Sequence, residues 1–162
     1  MTTHPDIAPT LLELAGVEAP QQMQGESFLE VLRGEREEHR RFVISSWPLY
    51  FAEGELTTAV DSRPRRIASY MPLTVTTPTR SLILGGPDDE PELYDLERDP
   101  QEEHNLWPEA PGEGVRLAAE AVSFLERLGT PERHLKPRRA ALEKLRGSTP
   151  PDSRDLLAEE AG

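Results

Sequence analysis

Apolar positions along this chain fall into three blocks with different spacing. In the first, Ile7, Leu11, Leu12 and Leu14 recur at helical intervals, which predicts a helix with one apolar face. Asp6 suits its N-cap, Pro9 would fall in the first turn where a missing N–H costs nothing, and Gly16 suits the position after its end. A second short helix is expected from Ser27 to Arg33, with Phe28, Leu29 and Leu32 apolar and Gly34 ending it. In the middle block, short runs alternate with turn formers. The runs are Phe42-Val43-Ile44, Leu56 to Val60, Ile67 to Tyr70, Leu73 to Thr77, Leu82 to Leu84 and Leu93 to Leu96. Asp61-Ser62, Pro72, Pro78 and Gly85-Gly86-Pro87 separate them. No helix fits between successive strands, so the sheet should be antiparallel. The last block is helical: Val115, Ala118, Val122 and Leu125 form a stripe, Ala121, Phe124 and Leu128 lie beside it, and Gly129 closes it. Pro131 to Leu145 also reads as helix, with a break expected at Pro137, and a frayed tail follows from Gly147. The expected fold class is α+β: an N-terminal helical segment, a small antiparallel sheet of about four strands, and a packed C-terminal helix.

Composition narrows the chemistry. The 162 residues suffice for a modest core, with 36% apolar residues and 16 prolines that favour loops and turns. A net charge of −12 opposes binding to nucleic acid or to an anionic membrane surface. With no Cys, disulfides, thiolate metal sites and a Cys nucleophile are excluded. Residues Met1 to Leu14 show no basic n-region and no apolar h-region, and nothing approaches a spanning run, so the chain as written is expected to stay in the cytoplasm. Lys136 and Lys144 are the only lysines, a bias that by itself points to no function.

Two stretches carry a family resemblance. His4-Pro5-Asp6-Ile7-Ala8-Pro9-Thr10-Leu11-Leu12-Glu13-Leu14-Ala15-Gly16 is followed by Gly25-Glu26-Ser27-Phe28 and Leu32-Arg33-Gly34. Much later comes Glu92-Leu93-Tyr94-Asp95-Leu96-Glu97-Arg98-Asp99-Pro100-Gln101-Glu102-Glu103-His104-Asn105-Leu106. In order and spacing they resemble the C-terminal end of a sulfatase of the alkaline-phosphatase superfamily, over roughly residues 2–106. The resemblance implies that residues 1–40 are a helical remnant of a catalytic α/β domain, 41–146 a C-terminal subdomain, and 147–162 a flexible tail. It also implies that the complete enzyme uses formylglycine, made from Cys or Ser in "C/S-x-P-S-R", and a divalent cation such as calcium. Neither that motif nor the paired aspartates of the metal site occur in this sequence, so no catalytic residue and no metal ligand is assigned here. The implied partner is the catalytic domain, with a sulfate ester as substrate of the complete enzyme only.

The residues of the two motifs read as structural. Asp6, Pro9, Thr10 and Gly16 shape the first helix. Tyr94 can bury its ring and still satisfy its hydroxyl, Asp95 belongs to the same strand, and Asp99-Pro100 starts a turn in which Glu102 and Asn105 can bond backbone N–H groups. His4, Trp47, Tyr50, Arg65 and Arg66 are candidates for the substrate rim. The competing readings are a solvent or capping His, core aromatics, and arginines paired with nearby acids. The acidic run from Asp88 to Glu103 contains Pro91 and Pro100 and lacks the glycine of an EF-hand loop, which makes it a solvated face. Two rival functions stay open: a non-catalytic module docking on a partner hydrolase, and the equivalent part of a phosphatase or phosphonate hydrolase.

Overall fold

The computed structural model describes residues 1–46, 49–52, 55–58, 72–85 and 89–149. They form two compact units, 1–43 and 44–162, each considered by itself.

In the first unit, α1 spans His4–Leu14 and α2 spans Leu29–Leu32. The N-cap of α1 is Thr3, in extended backbone, and not Asp6 as expected. Asp6 instead occupies the third helical position and its carboxylate reaches back to Thr3, the reciprocal half of a capping box. Pro5 therefore takes the tolerated first-turn place, and Pro9 lies inside the helix. The bond that Pro9 cannot donate would have gone to the Pro5 carbonyl, and Gly25 packs against that group so closely that a Cβ would collide with it. Gly16 and Gly34 end their helices at φ +71° and +73°, the left-handed conformation that favours glycine. The apolar face of α1 is largely uncovered: Ile7, Leu11 and Leu14 are 45%, 58% and 62% exposed, and Leu32 of α2 is 66% exposed.

The second unit contains a four-stranded sheet in the order β1-β4-β5-β6: Val43–Ser46, whose first residue lies at the unit boundary, then Leu73–Thr76, Arg80–Leu84 and Glu92–Asp95. Strands β4 and β5 pair antiparallel with Val75 opposite Leu82, and β5 and β6 with Leu82 opposite Leu93. These three side chains are fully buried, because the alternation of each strand points them to one face. A separate hairpin pairs β2, Leu49–Ala52, with β3, Glu55–Thr58. The β2 strand was not anticipated, since its aromatics read as loop or core. The strand expected at Ile67 to Tyr70 lies outside the described residues.

Helix α3, Pro111–Arg127, covers the buried face with Val115, Ala118, Ala121 and Val122, and contacts β4 and β5. Trp107 seats against Gly114, where no Cβ would fit. Helix α4, Glu132–Ser148, packs on α3 and runs unbroken through Pro137. The expected break does not occur. Pro137 is the sixth helical residue, so one backbone bond is forfeited, and burial of Leu135 and Leu142 on either side outweighs it. Gly147 and Ser148 are the last turn of this helix and not tail, while residues 150–162 lie outside the described set.

Leu82 sits at the centre of this core, so Leu82→Ala should destabilise the second unit by about 2–5 kcal/mol in urea unfolding followed by circular dichroism. Leu32→Ala, at an exposed position, should change stability by less than about 0.5 kcal/mol.

Candidate functional site

The most developed polar cluster surrounds Asp6, whose side chain is fully buried. Its Oδ2 accepts from the Thr3 N–H and hydroxyl, each at 2.8 Å, and its Oδ1 accepts from the Glu26 N–H at 2.9 Å. Arg40 closes the remaining side with a two-pronged grip, Nε to Oδ2 at 2.8 Å and Nη2 to Oδ1 at 2.6 Å. His39 places Nε2 3.3 Å from Oδ2, and its ring tilts against Phe28 with centroids 5.7 Å apart. Thr10 adds a second tie: its hydroxyl donates to the Asp6 carbonyl at 2.7 Å and accepts from the Phe28 N–H at 3.1 Å. Burial pulls the Asp6 pKa upward, but the Arg40 guanidinium and the N–H groups of Glu26 and Thr3 more than offset it and hold the carboxyl well below its ordinary range.

This arrangement suits structure and not catalysis. Both carboxylate oxygens are saturated by donors, which leaves no lone pair aimed at a substrate or cation. Among the described residues there is no group of three or more His, Cys, Asp or Glu able to hold a metal ion.

A second network stabilises the sheet unit. Arg80 on β5 reaches Asp95 Oδ2 at 3.1 Å and Glu113 Oε1 at 2.9 Å, linking β6 and α3. Asp95 Oδ1 also accepts from the N–H groups of Glu97 and Arg98, and the Arg98 bond, with Arg80 assisting, lowers its pKa against the effect of burial. Asn105 clamps the edge strand: Oδ1 accepts from the N–H groups of Leu93 and Trp107 at 3.0 and 2.9 Å, and Nδ2 donates to the Pro91 carbonyl at 3.3 Å. The turn at Asp99-Pro100 forms as expected, but the carboxylate that bonds its N–H groups is that of Asp99, which takes Glu103 and His104. Glu102 supplies instead the left-handed residue, at φ 55°. Tyr94 is buried and its hydroxyl donates to Glu92; that bond, then burial, pushes its pKa up to about 12.

Of the rim candidates, His4 is exposed at the first position of α1. Tyr50 lies in β2. Trp47, Arg65 and Arg66 fall outside the described residues. Sequence reasoning passed over His39 and Arg40, since a partner 34 positions from Asp6 leaves no periodic trace.

Residues 1–65 match the family described as N-sulphoglucosamine sulphohydrolase, C-terminal. The chain resembles the C-terminal portion of a sulfatase. Among solved structures, a 2-O GAG sulfatase is 23% identical with a TM-score of 0.54, over 77% of this chain and 25% of that one. A protein in complex with its substrate D-glucosamine-2-N,6-O-disulfate is 28% identical with a TM-score of 0.51, over 82% of this chain and 25% of that one. A third, from the metabolism of multiple glycosaminoglycans by Bacteroides thetaiotaomicron, is 20% identical with a TM-score of 0.64, over 88% of this chain and 30% of that one. The sulfatase-like chain thus spans about a quarter of the length of these proteins. No curated protein matches it. No helix among the described residues is long and apolar enough to cross a membrane.

Asp6→Asn should destabilise residues 1–43 by about 3–5 kcal/mol at neutral pH, because the half-buried Arg40 guanidinium loses its two-pronged partner and keeps only the exposed Glu26 carboxylate at 3.8 Å. Hydrogen exchange of those residues reads this directly. The folded-state pKa of Asp6 is depressed, so its contribution is complete above the unfolded value near ~3.9 and fades as the pH falls below it. The wild type should lose protection there, and the variant should lack that component. Tyr94 has the opposite sign. Its raised pKa supplies stability that is intact below the unfolded value near ~10 and is lost as the pH rises through about 12. A spectrophotometric titration should show a phenol ionising near pH 12 that Tyr94→Phe removes.

Proposed function

We propose that this chain is the C-terminal portion of a sulfuric ester hydrolase acting on sulfated saccharides. The observation that carries the reading is the family match over residues 1–65, joined to a fold shared with solved proteins across most of the chain. The substrate class rests on those relatives, whose descriptions name a sulphoglucosamine, a sulfated glucosamine and glycosaminoglycans. The nucleophile and the cation ligands belong to a catalytic region outside this sequence. Residues 1–40 are the last helical piece of that region, and 41–146 form the C-terminal subdomain. The uncovered stripe of Ile7, Leu11, Leu14 and Leu32 supports the division, since an apolar face of this extent marks a surface meant for a partner. The catalytic portion is that partner.

The test is the reading frame upstream of Met1. A continuous frame containing "C-x-P-S-R" or "S-x-P-S-R" with paired aspartates is expected. A stop codon with no such motif nearby would overturn the proposal in favour of a non-catalytic module. The purified 162-residue chain, with or without calcium, should release no more product from a chromogenic aryl sulfate than its heat-denatured control. Turnover that follows the chain through two orthogonal columns would show a site within it.

A further inference from the structure

Helix α1 turns its polar side inward. Asp6 and Thr10 are buried within their own unit together with Pro9, while Ile7, Leu11 and Leu14 are exposed. A surface helix does the opposite. Helix α3 follows that rule: Val115, Ala118 and Val122 are buried, and the exposed residues of the helix are Arg116, Ser123, Glu126 and Arg127. On α1 the outward residues at the spacing i, i+4, i+7 are all apolar, the pattern of a helix that seats in an apolar groove. The exposed face continues past the helix. Every residue from Glu13 to Gln24 is exposed, Val17 and Met23 among them, and Leu32 of α2 is uncovered too. Among the described residues, seven of the eight large apolar side chains that stand exposed belong to residues 1–32, so the feature is confined to this stretch.

The charged side chains of this stretch have one sign. Residues 1–32 contain no Lys and no Arg, and arginines begin at Arg33, past the end of α2. Apart from the buried Asp6, the acids are Glu13, Glu18, Glu26 and Glu30, all of them exposed. A second copy of this chain would bring the same carboxylates against each other, and an anionic membrane would repel them. The occupant that fits is a protein surface with an apolar centre and Lys or Arg at its margin.

We infer that the face formed by α1, the loop after it and α2 docks on such a basic-margined surface of the catalytic portion, with Glu13, Glu18 and Glu30 meeting the cations at its edge. The choice of occupant rests on the hydrolase reading; the chemistry of the surface it must offer rests on the inverted helix and the one-signed charge. Two further observations favour this occupant. The chain spans 25% to 30% of the length of the solved relatives, so the greater part of such a protein lies outside it. The family match, over residues 1–65, includes the whole of the face. The Asp6 anchor then has a second use: its ties to Glu26 and Arg40 hold α1 by the polar side and leave the apolar side to the partner.

With no Cys in the sequence, one introduced thiol reports one position. In the isolated 162-residue chain, Leu11→Cys and Leu128→Cys should react with a soluble maleimide at similar rates, since both side chains are exposed. In the longer protein translated from the upstream frame, the Leu11→Cys thiol should react at least about tenfold more slowly and the Leu128→Cys thiol at its former rate, with the modified site read by peptide mass spectrometry. Glu18→Lys with Glu30→Lys should speed the Leu11→Cys reaction in the longer protein, as should raised salt, and neither should change it in the isolated chain. Hydrogen exchange of residues 4–14 in the two unsubstituted proteins makes the same comparison without a variant, and should be slower in the longer one. Equal Leu11→Cys reactivity in the two proteins would overturn the docking and leave the hydrolase reading standing. Slow reaction in the isolated chain that dilution relieves would seat a second copy on the face and overturn it as well. Indifference to the introduced lysines and to salt would overturn the basic margin. Absence of an upstream frame would remove the hydrolase reading, and this occupant with it, before any thiol is measured.

Discussion

A carboxylate buried from water stays ionised only if donors replace every hydration contact it loses. Asp6 meets that condition by drawing on three separate parts of its unit. Thr3 stands at the start of the helix, Glu26 lies in the loop after it, and Arg40 comes 34 residues later. The cost of leaving any donor unpaired makes the arrangement cooperative: the helix cap, the loop and the later segment are ordered together or not at all. The first unit has few buried apolar side chains, with Leu29 the largest in its core, so this polar anchor does work that a hydrophobic core would do elsewhere.

The second unit uses a more ordinary division of labour. Val75, Leu82 and Leu93 align across three strands and meet α3, and this burial supplies the driving force. Polar groups then decide where the chain turns. Arg80 joins β5 to β6 and α3, and Asn105 covers the edge of β6 with the loop that follows. An edge strand left bare would present unpaired N–H and C=O groups to other chains, so the Asn105 clamp also protects against edge-to-edge pairing. Fold and surface are linked through α4, whose inner face is committed to packing. Of its basic residues, Lys136, Arg139, Lys144 and Arg146 are exposed, whereas Arg138 lines the packed side.

How much was legible in the residues varied with the range of the interaction. Helical spacing located α1 and α3, and alternation with turn formers located β4, β5 and β6, because these signals lie within a few residues of one another. Glycines after α1, α2 and α3 marked their ends for an equally local reason, the cost of a left-handed backbone for any other residue. Candidate-site reasoning was less complete. His39 and Arg40 lie in a run of charged residues with no periodic signal, and their significance was invisible until the fold placed them on Asp6.

The sequence by itself determined the order and type of most elements, the net charge, the absence of a Cys nucleophile and the two motifs of the sulfatase resemblance. Tertiary structure decided the rest. It made Thr3 and not Asp6 the cap of α1, since Asp6 was required for a longer-range ion pair. It carried α4 through Pro137, since packing of Leu135 and Leu142 exceeds the loss of one backbone bond. The physical reason is the same in each case: local propensities are worth fractions of a kcal/mol to a few kcal/mol, and a buried charge or a filled core, formed between residues far apart in the chain, can outweigh them.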